Sequence, residues 1–324
     1  MDRPALYITR LLPQPVLEAI PQQYRLLTSP SDDPPTAIEL QQGFAEADAV
    51  ICTLSDRIDA SLLAHTTRLK IIANYAVGYN NIDVTAAAQR GIVVSNTPDV
   101  LTDATADLTW ALLLAVSRRI VEGDRWVRAG TWPGWSPTQI LGAQVSGKTL
   151  GIIGMGRIGQ AVARRAAGFG MSVIYAGRHS IAPPSGAAWA RRSLSELLAE
   201  SDFLSLHVPL TADTHHLIGP RELATMKPTS FLINTSRGPV IDESALLSAL
   251  QTGTIAGAGL DVYEQEPTVS AGLLSLSNVV LLPHLGSATL ETRVRMGFIC
   301  LTNIAAVLEG RPAPNEVNGR VLRG

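Results

Sequence analysis

The stretch "GIIGMGRIGQAVARRA", Gly151 to Ala166, decides how the rest of the chain is read. A short apolar run, "TLGIIG", ends in Gly154, Gly156 and Gly159, spaced as GxGxxG, and an amphipathic helical pattern follows. The first glycine permits a tight turn, the second lets backbone approach a pyrophosphate, and the third lets helix and strand pack closely. Pyrophosphate then rests on the unpaired N–H groups at the positive end of the helix. With a strand before, a helix after and a second strand, "SVIYA", at the right distance, the stretch predicts a dinucleotide-binding unit.

Outward from it, the pattern continues in both directions. "TLGIIG", "SVIYA", "FLSLHV", "SFLINT", "GAGLDV" and "NVVLLP" read as six strands separated by helical segments, the signature of a doubly wound sheet. Upstream, "ALYIT", "AVICT", "LKIIA" and "GIVVSN" read as buried strands, with "ASLLAHT" and "NIDVTAAAQR" as short helices. Such alternation predicts another parallel sheet covered on both faces. "SDDPPT", Ser31 to Thr36, is the clearest loop. Beyond Pro98, "TDATADLTWALLLAVSRRIVEGDRWVRAG" reads as one long helix, capped by Thr102 or Asp103 and stopped at Gly130. Its middle is apolar nearly all round, so it belongs in a core or at a subunit contact. The loop "GTWPGWSPTQILG" holds two Trp residues, which predicts packing against something, such as a second subunit. The amphipathic tail "ETRVRMGFICLTNIAAVLEG" is a candidate to cross back to the first domain.

Composition narrows the class. A chain of 324 residues with 46% apolar content fills two domains, and a net charge of −2 argues against an electrostatic nucleic-acid binder. Cys52 and Cys300 form no CxxC pair, so two buried thiols are expected, with neither a disulfide framework nor a metal site. "MDRPALYITR" has no apolar signal core, and the longest apolar run, "WALLLAV", is too short to span a bilayer. A soluble cytoplasmic protein with no nucleic-acid or membrane partner is the expectation.

The choice of nucleotide is read from "SVIYAGRHS", Ser172 to Ser180. A carboxylate that holds the adenosine ribose is expected about 20 residues beyond the glycine motif. Instead the chain offers Gly177, Arg178, His179 and Ser180, and no acid occurs in the 71 residues between Asp124 and Glu196. A 2′-phosphate is repelled by carboxylate and attracted to guanidinium. NADPH is therefore the expected cofactor, with NADH a lesser one.

Three segments carry candidate chemistry just after later strands, where a doubly wound sheet places its ligands. "FLINTSRGPVIDE" delivers Arg237, "GAGLDVYEQEP" delivers Asp261 and Glu266, and "VVLLPHLGSAT" delivers His284. Together with "NYAVGYNNID", "NTPDVLTDATADL", "GKTLGIIGMGRIGQA" and "SDFLSLHVPLT", they resemble, in order, the motifs of the D-isomer-specific 2-hydroxyacid dehydrogenase family. The resemblance runs from about Ile71 to Thr289 and is nearest the glyoxylate and hydroxypyruvate reductase branch.

That resemblance implies an α/β chain of two doubly wound domains: a Rossmann-type nucleotide domain and a flavodoxin-like substrate domain, with the active site in the cleft between them. The boundaries it implies are 1–99 plus 292–324 for the substrate domain and 100–291 for the nucleotide domain. A dimerisation helix and loop fall at about 102–142, in a homodimer. It implies reduction of a small 2-oxo acid to the D-2-hydroxy acid, with Arg237 clamping the substrate carboxylate, His284 giving the proton and Glu266 orienting the imidazole. Asp261 is expected at the nicotinamide carboxamide. The rest of the cofactor site would comprise Thr105, Arg157, Ile158, Val208, Pro209, Thr235, Ser236 and Gly286 beside the glycine motif and the 177–180 turn. The backbone of Val77 and Gly78, and Ser287, would bind substrate, and Trp135 resembles a residue that reaches the partner's pocket.

Other readings share these motifs. Phosphite dehydrogenases are similar but add a Lys where this chain has Val77, which disfavours them. Reduction of 2-ketogluconate leaves the motif residues the same. A nucleotide-sensing corepressor would keep the fold and the triad but needs a peptide groove that the sequence does not mark.

Overall fold

The structure, a computed structural model, describes residues 3–28 and 32–319. The chain divides into two compact units, Met1–Leu101 with Ser287–Gly324, and Thr102–Gly286. These breaks follow residues 101 and 286, where the sequence placed them after 99 and 291.

The first unit runs β1 (Ala5–Ile8), α1 (Gln14–Glu18), β2 (Arg25–Thr28), α2 (Ala37–Glu46), β3 (Ala49–Cys52), α3 (Ala60–Ala64), β4 (Ile71–Asn74), α4 (Val84–Gln89) and β5 (Val93–Ser95). Its parallel sheet has the order β2-β1-β3-β4-β5, the flavodoxin-like arrangement. Every residue of β1, β3 and β4 is buried, as strands covered on both faces must be. Period-two alternation sorts their side chains into two cores. Leu6, Ile8, Ile51 and Ile71 fill one, while Tyr7, Val50, Ile72 and Val94 fill the other. Each such side chain contributes roughly 1.5–3 kcal/mol by leaving water. Of the expected loop "SDDPPT", Ser31 lies outside the described residues. Its last residue, Thr36, caps α2, accepting from Glu39 N–H while the Glu39 carboxylate reaches back to Thr36 N–H.

The second unit runs α5 (Thr102–Ser117), α6 (Ile120–Arg128), β6 (Thr149–Ile153), α7 (Arg157–Ala166), β7 (Ser172–Ala176), β8 (Trp189–Arg191), α8 (Leu194–Glu200), β9 (Phe203–Leu206), α9 (Pro220–Thr225), β10 (Phe231–Asn234), α10 (Glu243–Gln251), β11 (Gly257–Leu260), α11 (Ala271–Leu274) and β12 (Val279–Leu281). Its sheet is seven-stranded and parallel, ordered β12-β11-β10-β9-β6-β7-β8. The strand order reverses between β6 and β9, and a doubly wound sheet opens its ligand crevice at that point. All six expected strands are present. The seventh, β8, is a three-residue edge strand that leaves no apolar run in the sequence.

The single long helix expected over 102–130 is instead two. After Ser117 the chain enters the left-handed region at Arg119 (φ 53°) and starts again as α6. The Ser117 carbonyl, which would have accepted the next helical bond, accepts from Ala143 N–H at 2.8 Å. A returning segment thus takes over the helix end. α5 is buried in its own unit through Ala106, Trp110, Leu112, Leu113 and Val116, whereas α6 has no buried residue. The final helix, α12 (Leu290–Leu308), belongs to the first unit, packing on β4, β5 and α1. No helix among the described residues is long and apolar enough to cross a membrane.

Candidate active site

The glycine motif occupies the turn from β6 into α7, and the space around each glycine differs. Gly154 has φ +96°, and a Cβ there would lie 2.5 Å from the His207 carbonyl oxygen. The turn after β6 therefore presses on the one after β9, bringing Val208 and Pro209 to the topological switch. A Cβ at Gly159 would lie 2.2 Å from the Gly154 carbonyl oxygen, so helix and turn touch. Gly156, the residue preceding α7, has nothing within 4 Å of its would-be Cβ and no side-chain cap over the helix start. Open space in front of bare helix N–H groups is what a pyrophosphate requires. Arg157 is exposed at the first turn, and Ile158 packs inward against the core.

These contacts separate a folding role from a binding role. Gly159→Ala is expected to destabilise the protein by about 1–3 kcal/mol, the usual cost of overpacking. Gly156→Ala is expected to leave the melting temperature unchanged while weakening dinucleotide binding at least about tenfold, through lost charge-assisted bonds. Calorimetry and a fluorescence titration of both variants check this.

At the end of β7, Gly177, Arg178, His179 and Ser180 are all exposed. Gly154 N–H donates to the Ala176 carbonyl at 2.9 Å, and a Cβ at Gly177 would lie 3.8 Å from Met155 N. The basic turn thus stands beside the glycine turn. Arg191, on the edge strand, braces it by donating to the carbonyls of Gly177 (2.8 Å) and Arg178 (3.3 Å). The sequence marks Arg191 only as one of several cations in the acid-free span, because its contact with the turn depends on the unforeseen strand β8.

On the far side of the switch, the structure brings Arg237, Glu266 and His284 into one electrostatic group. Arg237 follows β10 and donates to the Ser236 carbonyl at 2.7 Å. Its turn is built by Asn234, which is fully buried. Asn234 Oδ1 accepts from Ser236 N–H and Oγ–H, and its Nδ2 donates to the Arg237 carbonyl. Sequence reading missed Asn234, which looked like a strand end. Burial pulls the Arg237 guanidinium below its ordinary value, and the Glu266 carboxylate works against that.

Glu266 and His284 are directly paired, with Oε2 to Nδ1 at 2.8 Å. Burial works to raise the Glu266 carboxyl, but the hydrogen bond and charge of His284, the Tyr263 N–H and Arg237 together hold it below the usual range. The carboxylate is thus ionised, and Nδ1 of His284 carries the shared proton. Nε2 is left as the working nitrogen. The other carboxylate oxygen, Oε1, accepts from Tyr263 N–H at 3.0 Å.

His284 sits in the left-handed region at φ 56°, a conformation that costs a non-glycine residue roughly 1–3 kcal/mol and clusters at functional sites. Asp261 holds it there. Expected at the nicotinamide carboxamide, Asp261 is fully buried, with Oδ1 accepting from Leu285 N–H (2.6 Å) and Oδ2 from Gly286 N–H (2.8 Å). Burial raises its carboxyl, with those two N–H groups and His284 opposing. A relay of hydroxyls ties the same loop to α5. Thr105 donates to the Gly286 carbonyl (2.9 Å), Thr109 to the Thr105 carbonyl (2.8 Å), and Thr109 meets Thr235 at 2.9 Å.

In the first unit, the Val77 and Gly78 carbonyls accept from the Asn96 and Asn74 side chains, each at 2.8 Å, which fixes that turn. Ser287 is half-buried at the start of the returning segment. Trp132 and Trp135 are 47% and 79% exposed, so within one chain the Trp loop packs on little.

A bare helix start at the switch of a doubly wound sheet, with a carboxylate–imidazole pair on the loops after β11 and β12, is the arrangement of a nicotinamide-dependent dehydrogenase. Residues 110–286 match the family described as D-isomer specific 2-hydroxyacid dehydrogenase, NAD binding domain. A glyoxylate reductase from Thermococcus litoralis is 50% identical over 99% of this chain and 98% of its own. The solved NADPH-dependent glyoxylate/hydroxypyruvate reductase from Sinorhizobium meliloti, in complex with NADP and malonate, is 37% identical, with a TM-score of 0.84 over 97% of each chain. A glyoxylate reductase from Paecilomyes thermophila is 36% identical, with a TM-score of 0.85 over 98% of this chain and 99% of its own. The chain belongs to the D-isomer-specific 2-hydroxyacid dehydrogenase family and is an NAD(P)-dependent oxidoreductase.

Proposed function

We propose that the protein reduces glyoxylate to glycolate, and hydroxypyruvate with it to D-glycerate, preferring NADPH. The observation that carries this reading is the 2.8 Å Glu266–His284 pair on a left-handed loop, with Arg237 close enough for its charge to act on Glu266. The substrate class follows the glyoxylate reductases that match the whole chain.

When bound at the Gly154–Gly159 turn, a nicotinamide cofactor would supply the hydride for the carbonyl carbon, and the chain's own residues bind, orient and protonate the substrate. Arg237 takes the substrate carboxylate through two parallel N–H bonds and polarises the 2-oxo group. His284 gives a proton from Nε2 to the developing alkoxide, and Glu266 stabilises the imidazolium before that transfer. Asp261 and Thr105 keep the His284 loop in place. The Val77 and Gly78 N–H groups and Ser287 serve as further substrate contacts in this reading, which makes Met1–Leu101 with Ser287–Gly324 the substrate domain and Thr102–Gly286 the nucleotide domain.

The cofactor preference rests on the exposed Arg178-His179-Ser180 turn, held by Arg191, and on a span without acids. The NADP complex of the Sinorhizobium relative supports it. Arg178→Asp is expected to lower kcat/KM for NADPH at least about tenfold, the loss of one charge-assisted contact, with NADH use nearly unchanged. An unaltered preference ends this assignment. Initial rates with glyoxylate, hydroxypyruvate, 2-ketogluconate, pyruvate and phosphite, each with both cofactors, test the whole proposal. Glyoxylate or hydroxypyruvate with NADPH should lead, and phosphite turnover or dominance of 2-ketogluconate contradicts it.

We further propose a homodimer built on α6 and the Trp loop, in the cytoplasm. Ile120, Val127, Trp132, Trp135 and Leu141 are 47–79% exposed, and a cavity of about 520 Å³ lies between α5, α6 and β12. The partner subunit's Trp135 is assigned to the substrate pocket. Light scattering should give twice the chain mass, reduced to a single chain mass when Trp132 and Leu141 are both changed to Asp. The two free buried thiols fit a reducing compartment.

A further inference from the structure

The segment "TADTHHLIG", Thr211 to Gly219, has two adjacent histidines that the oxidoreductase reading does not use. They stand between β9 and α9, and the fold brings Glu264, from the loop after β11, against them. One ligand atom from each of His215, His216 and Glu264 lies within 4.8 Å of the others. His216 Nε2 and Glu264 Oε1 are 2.8 Å apart, and the two imidazoles stack with centroids at 4.0 Å.

The backbone around this group is fixed. His215 N–H donates to the Thr211 carbonyl (3.0 Å) and His216 N–H to the Pro239 carbonyl (2.8 Å). Glu264 Oε2 accepts from Glu243 N–H, and Glu264 N–H donates back to Glu243 Oε2. One carboxylate oxygen is thus held by backbone while the other faces the imidazoles, the second-layer support that metal ligands ordinarily have. His215 is exposed, and the side chains of His216 and Glu264 are 36% and 29% exposed, so an ion reaches them from solvent.

Two imidazole nitrogens and one carboxylate oxygen suit zinc, copper or nickel rather than the all-oxygen shells of calcium and magnesium. They leave a fourth position for water. Bonds of about 2.1 Å put tetrahedral neighbours about 3.4 Å apart. The 2.8 Å pair must therefore open by roughly 0.6 Å, and a third donor, within 4.8 Å of the other two, must close by at most about 1.4 Å. Both adjustments lie within side-chain rotation. We propose that His215, His216 and Glu264 bind one divalent transition-metal ion of the zinc class.

The site is also a clasp. The His216 N–H holds the Pro239 carbonyl, and a Cβ at Gly238 would lie 1.8 Å from the Tyr263 carbonyl oxygen and 2.5 Å from Glu264 N. Arg237 and Glu266 flank these contacts, so a bound ion stiffens the loops that carry them.

The test starts from the metal-free His284→Ala protein, whose candidate proton donor can no longer compete for the ion. Zn2+ is titrated against a chromophoric chelator, with thermal melts in parallel. The expected result is one equivalent per chain, a higher melting temperature with Zn2+, and affinity weakened at least about tenfold by His215→Ala and by Glu264→Gln. His215 is exposed, so its substitution leaves the fold intact, and circular dichroism verifies both variants. X-ray absorption of the zinc-loaded protein should show two imidazole scatterers. No bound zinc, equal affinity in the variants, or a shell of oxygens alone overturns the proposal.

Discussion

His284→Ala is expected to lower kcat for glyoxylate reduction by about two to four orders of magnitude, the usual worth of a positioned general acid. NADPH affinity should stay within a factor of about two, because charge-assisted contacts to the phosphates, worth roughly 1.5–3 kcal/mol each, are untouched. The 2.8 Å bond to Glu266 commits Nδ1 and leaves Nε2 to give the proton. Stopped-flow rates and a fluorescence titration separate the two quantities. Substantial remaining kcat would mean that the proton arrives from elsewhere.

Arg237→Ala is expected to lower kcat/KM by roughly a hundred- to a thousandfold, because a half-buried carboxylate partner is removed. The loss should fall on both KM and kcat, since the guanidinium binds the carboxylate in the ground state and polarises the carbonyl in the transition state. Arg237→Lys should recover only a small part, because an ammonium lacks the planar fork. Asn234 makes a second check possible. Replacing it by Ala removes the bonds that shape the Ser236–Arg237 turn, and should imitate a weak form of the Arg237 variant. Equal kcat/KM for Arg237→Lys and wild type would remove the two-pronged clamp from the account.

Much of this site was legible because its parts are contiguous. The glycine turn, the basic turn after β7 and the three polar residues after strands each lie inside one local motif. Their chemistry is written into neighbouring residues. What could not be read is what depends on contact between distant segments. The helix break at Arg119 follows from Ala143 capturing the Ser117 carbonyl, 26 positions away in the chain. Strand β8 is only three residues, "WAR", and exists because β7 offers it an edge. The bonds of Asp261 to Leu285 and Gly286 require β11 and the loop after β12 to lie side by side. In the same way, the paired histidines gain a ligand set only when the fold delivers Glu264.

The proposed activity is hydride transfer to a 2-oxo acid at the Arg237–Glu266–His284 group. The most direct measurement is glyoxylate-dependent NADPH oxidation by the purified protein, with glycolate quantified in the same reaction. The expected result is one glycolate per NADPH at a turnover above about 1 per second, within the usual range for enzymes. Tight NADPH binding with negligible glyoxylate-dependent oxidation would contradict it and leave a nucleotide-binding module instead.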